Sequence, residues 1–128
     1  MGSDMTNKGE AKPTICLDFD GVVNWYRPET RPKEYNHAII NDVPVPGVWN
    51  AIRELRKKYR VVVYSVRCSE SKGVIAISNW LWRHQIQVDD ICSTKPPAMI
   101  YVDDRGVQFR GDWHKTLKDI EEFSTWLS

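Results

Sequence analysis

Three short apolar runs constrain this chain most strongly. Thr14-Ile15-Cys16-Leu17, Val61-Val62-Val63-Tyr64 and Met99-Ile100-Tyr101-Val102 are rich in β-branched residues and are not interrupted by charge. Such runs read as strands covered on both faces, the habit of parallel sheets. Each run stops on a polar residue: Asp18, Ser65 and Asp103. A short further strand is expected within Ile86 to Cys92. Between the strands, apolar residues recur with the period of amphipathic helices. Val48, Ala51, Ile52, Leu55 and Tyr59 mark one helix, and Lys72 to His84 hold a second. Trp113, Leu117, Ile120 and Leu127 mark a last one. Strand–helix alternation predicts an α/β protein whose parallel sheet is covered by helices.

The 128 residues fit one domain, read as residues 13–128. A chain of this length buries roughly two-thirds of its unfolded surface, enough for a core without staples. Its net charge of +1 predicts no strong field toward nucleic acid or an anionic membrane. No apolar run approaches the ~20 residues of a membrane span. Residues 1–12 are polar, lack the apolar stretch of a secretory signal, and are expected to form a disordered tail or an expression remnant. Cys16, Cys68 and Cys92 have no metal spacing, and neither do His37, His84 and His114. Core cysteines in a reducing cytoplasm are the simple expectation.

In open α/β sheets, ligands bind outside the carboxyl ends of the strands. Asp18, Ser65 and Asp103 share that address, and Lys95 lies in the loop before the last strand. Two or three carboxylates (Asp18, Asp103 and Asp104) suit a magnesium ion, which takes hard oxygen ligands. A hydroxyl and an ammonium, Ser65 and Lys95, suit phosphoryl oxygens. A carboxylate can also attack phosphorus. In Asp18-x-Asp20 an extended backbone points both side chains the same way. Asp18 could then attack while Asp20 protonates the leaving group.

These residues resemble the motifs of the haloacid dehalogenase superfamily. Asp18-Phe19-Asp20-Gly21-Val22-Val23 is similar to its first motif, Ser65 to its second, Lys95-Pro96 to its third and Asp103-Asp104 to its fourth. The resemblance spans about residues 14–127. It implies a Rossmann-like three-layer sandwich with a mainly parallel central sheet. It implies Asp18 as nucleophile, Asp20 as general acid and base, and Lys95 as the balancing cation. Ser65, Lys95 and Arg67, with Gly21 and Val66 beside them, form the implied substrate-binding set. Magnesium would be held by Asp18, the backbone carbonyl of Asp20, and Asp103, with Asp104 nearby. Asp20 favours a phosphatase over a dehalogenase. Both slots for a cap domain are small, so a capless member with a flap at about residues 22–46 is implied. Its open site suits a phosphorylated small molecule or nucleic-acid end, or a homo-oligomer that covers it. Ser65-Val66-Arg67 and Asp103-Asp104-Arg105 resemble small capless bacterial and phage-type members.

Single residues admit more than one role. Arg67 could clamp a phosphate or pair with a surface carboxylate. Trp25, Tyr26, Arg27, Arg31, Lys33 and Tyr35 could stack nucleic-acid bases or form a packed flap. Trp80 and Trp82 lie about 200° apart on a helix, so one core stripe cannot take both. A receiver domain would use similar groups, but it places its acidic pair after the first strand. A non-catalytic phosphate-binding module and a 3′-phosphate end-processing enzyme are also compatible with these residues.

Overall fold

A computed structural model describes residues 12–103, 107, 109 and 111–127, with backbone only from residue 123 onward. The expectations for residues 1–11, Asp104 and Arg105 lie outside the described residues. Strands β1 (Thr14–Asp18), β2 (Arg60–Tyr64), β3 (Asp90–Cys92) and β4 (Ile100–Val102) form one sheet of order β3-β2-β1-β4. All pairings are parallel. Helices α1 (Val48–Arg56), α2 (Ser71–Arg83) and α3 (Trp113–Leu127) complete an α/β architecture. None of the described helices is long and apolar enough to cross a membrane.

The central strands are the predicted apolar runs, and Ile15, Leu17, Val61 and Val63 are fully buried. These alternate residues share one face of the sheet. They join Ile100, Val102, Ala51, Ile52, Leu55, Ile77, Trp80, Leu81, Trp113 and Ile120 in one apolar cluster. All three helices therefore cover the same face. Cys16 and Val62, on the opposite face, are buried but stand outside that cluster. The segment from β3 to β4, residues 93–99, holds no helix and crosses this second face. Among the described residues the expected three-layer sandwich is therefore corrected to two layers of regular structure. The connection is too short to supply a third.

The first helix ends at Arg56, before the expected Tyr59. There Lys58 and Tyr59 N–H both donate to the Leu55 carbonyl, which tightens the chain for its entry into β2. The third strand is short because Asp89 replaces the ladder at its start. The Asp89 carboxylate accepts from the Val61 N–H at 2.8 Å and pairs with Arg56. Trp80 is 1% exposed and Trp82 is 83% exposed, the separation that helical geometry required.

The link between β1 and α1 carries a single 3₁₀ turn, Pro28–Thr30, and otherwise irregular backbone. Buried Asp42 is its hub. Its carboxylate accepts from the Arg27 backbone N–H, Nε and Nη2, from the Thr30 hydroxyl and from the Val43 N–H. The Asp42 carbonyl accepts from the Trp80 indole at 2.9 Å, which fixes the flap to α2.

Candidate active site

The site is built where β1, β2 and β4 end. Asp18 closes β1, one step past the Leu17–Val102 pair, and Asp103 follows Val102. The two carboxylates thus start from neighbouring backbone positions. Phe19 then turns inward and packs edge-on against Trp80, with ring centroids 5.0 Å apart. Its carbonyl accepts from Val22, Val23 and Asn24 N–H, closing a tight turn. Gly21 adopts φ +87°, a conformation that costs glycine little.

Lys95 Nζ donates to Asp103 Oδ2 at 2.5 Å. Its ammonium lies 5.6 Å and 5.5 Å from the ring centroids of Tyr64 and Tyr101. Tyr101 also shapes the loop that bears Lys95. Its hydroxyl donates to the Pro96 carbonyl at 2.7 Å and accepts from the Ala98 N–H at 3.1 Å. Cys16, on the strand below, reports the shared field. Burial first, then the Asp18 charge, pushes its thiol up to about 12; Lys95 opposes this and Asp103 adds to it. Asp18, Lys95 and Asp103 are thus electrostatic neighbours of one thiol.

Ser65 is buried at the end of β2, and its Oγ accepts from the Arg67 N–H at 3.1 Å. It caps the 3₁₀ turn Val66–Ser69, so the common structural role of such a serine is present here. Its hydroxyl proton is not used by that bond. Val66 and Gly21 are exposed beside the site.

Arg67 turns inward and is 1% exposed. Its Nε and Nη2 donate to Asp20 Oδ2 and Oδ1 at 2.8 and 3.2 Å. The carboxylate that Arg67 meets is thus Asp20 of the candidate site rather than a surface group. Asn24 Nδ2 also donates to Asp20 Oδ1, at 2.9 Å, whereas Asn24 Oδ1 is buried with no partner among the described residues. In the flap, Arg27 is engaged by Asp42, and Arg31 donates twice to the Tyr26 carbonyl. Trp25 and Tyr35 keep exposed rings.

Among the described residues no three His, Cys, Asp or Glu side chains form a metal-holding group. Magnesium commonly takes only one or two carboxylates beside its waters, and Asp18 with Asp103 fits that donor chemistry. A cleft of about 880 Å³ lies elsewhere, between α2 and the β3 edge, lined by Leu81, Trp82, Ile86 and Ile91. None of the candidate residues lines it.

Sequence reasoning missed Tyr64, Tyr101, Asn24 and Asp42. Tyr101 left one signal: a tyrosine inside an apolar strand needs a partner for its hydroxyl. The chain matches no protein-family model, no curated protein and no solved structure.

Proposed function

We propose that this chain is a magnesium-dependent phosphohydrolase of the haloacid dehalogenase type, which cleaves a phosphomonoester through an aspartyl-phosphate on Asp18. The observation that carries this reading is that Asp18 and Asp103 stand at the ends of two adjacent parallel strands, with Lys95 of the preceding loop bonded to Asp103. The all-parallel sheet, with these residues past the carboxyl ends of its strands, supports a ligand site there.

In this mechanism the Ser65 hydroxyl and Lys95 orient the phosphoryl oxygens. An Asp18 oxygen attacks phosphorus as the bond to the leaving oxygen breaks. Asp20 gives that oxygen its proton. A carboxylate has about four lone-pair sites. Arg67 and Asn24 take three of Asp20's, so one remains for the proton. Asp20 then takes a proton from water, whose oxygen attacks phosphorus and releases Asp18 and phosphate. Magnesium, which Asp18, the Asp20 carbonyl and Asp103 would hold, would neutralise phosphoryl charge.

The flap's arginines are engaged within it, which favours a small phosphomonoester over a nucleic-acid end. A panel of small phosphomonoesters beside a 3′-phosphorylated oligonucleotide, with magnesium and with chelator, tests both points. The expected result is magnesium-dependent phosphate release from small substrates that Asp18→Asn abolishes. Full activity in Asp18→Asn would overturn the mechanism.

A further inference from the structure

The geometry points to Arg67 as a positioning residue that ties the flap to Asp20, so that one side chain sets both the acid's orientation and the flap's seat. A guanidinium is a planar fork that can serve two partners at once. One edge of Arg67 meets both oxygens of Asp20. Nη1 donates to the flap carbonyls of Asn36, His37 and Ile39 at 3.1, 3.1 and 2.9 Å. The ring centroids of Tyr35 and Tyr26 lie 5.1 and 5.9 Å from its central carbon. With the side chain 1% exposed, a phosphate could reach this fork only by displacing Asp20 or a flap carbonyl.

The backbone of Arg67 is fixed too. Its N–H is held by Ser65 Oγ, and its carbonyl lies against Gly73, where any side chain would collide. His37 adds a second tie from the flap to Glu70, at 2.6 Å. The flap therefore cannot leave its seat at Asn36 to Ile39 without removing acceptors from the cation that orients Asp20. The catalytic consequence rests on the phosphohydrolase reading; the grip itself does not.

Two measurements on the full chain test it. Hydrogen exchange over residues 36–41 is compared in the parent, Arg67→Gln and Asp20→Asn. Both variants should exchange faster, by at least about tenfold, because each removes a charge-assisted hydrogen bond. Unchanged flap protection in Asp20→Asn would overturn the coupling, and this arm decides the matter if Arg67→Gln does not fold.

The second measurement is kcat/KM with 4-nitrophenyl phosphate, whose leaving group needs no proton, and with glycerol 2-phosphate, whose leaving group does. Arg67→Gln should lose roughly 10²-fold with the alkyl ester and only a few-fold with the aryl ester, since a general acid contributes about 10²–10⁴. Equal losses with a raised KM would make Arg67 a phosphate ligand and overturn the proposal. A parent protein that hydrolyses neither ester would refute the phosphohydrolase reading alone, and the exchange arm would still decide the grip.

Discussion

Lys95 reaches across the helix-free face of the sheet to place its ammonium 2.5 Å from the Asp103 carboxylate. The carboxylate side is nearly closed to solvent, at 4% exposure, and the lysine is 25% exposed. The two rings beside Lys95 add cation–π attraction and restrict its movement.

Lys95→Ala should therefore destabilise the fold as well as the site. Breaking a fully buried pair costs ~3–5 kcal/mol; with Lys95 partly solvated, about 2 kcal/mol is expected. Urea unfolding measures it. The Lys95→Met/Asp103→Asn double variant should recover much of the loss, because the Asp103 charge is removed together with the lysine that pairs with it. A double variant no more stable than Lys95→Ala would show that the ion pair is not the cause.

Asp42 predicts an acid-side effect. Hydrogen bonds from the Arg27 side chain, with further ones from backbone N–H groups and Thr30, hold its carboxyl well below the usual range despite burial. A depressed folded-state value gives stability that is complete above the unfolded value, about 3.9, and is lost as pH falls through the folded one. Asp42→Asn should lower the urea midpoint at pH 7, and its gap from the parent should narrow below about pH 4. An equal gap at pH 3 and pH 7 would exclude the carboxylate charge as the cause.

Gly73→Ala probes close approach. A Cβ there would sit 1.8 Å from the Arg67 carbonyl oxygen, a backbone atom that no rotamer change can move. The Val66–Ser69 turn and α2 must separate, and a loss of about 1–3 kcal/mol is expected from such overpacking. Thermal unfolding reads it, and a melting temperature equal to the parent's would contradict the contact.

Thiol chemistry gives an independent check on burial. Cys16 is pushed up to about 12, and burial also raises Cys68 and Cys92. The nucleophile is the thiolate, so at pH 8 Cys16 in the folded protein should react with a disulfide reagent at least ~10²-fold more slowly than in the urea-unfolded chain. Fast labelling mapped to Cys16 in the native state would show that its site opens.

The strands and the positions of Asp18, Ser65, Lys95 and Asp103 were legible because strand ends are one-dimensional features of a sequence. An apolar run stops, and the next polar residue stands at the crevice. The inward turn of Arg67 was not legible. It depends on carbonyls of Asn36, His37 and Ile39, which irregular backbone delivers without any periodic pattern. The Asp42 hub was hidden for the same reason. The placement of Lys95 between Tyr64 and Tyr101 needs the strand order β2-β1-β4, which separates those rings by one strand. The one-sided helix layer could have been foreseen from the short stretch between Cys92 and Ile100.

The pairing of β4 with β1 has a consequence for biosynthesis. The strand bearing Asp18 leaves the ribosome before the strand that brings Asp103 beside it. Until then β1 has an open edge, and the nascent chain lacks half of its acidic pair. Synthesis thus withholds this juxtaposition until the sheet can close, and a polypeptide interrupted before Ile100 would carry the other three described strands and not the Asp18–Asp103 pair.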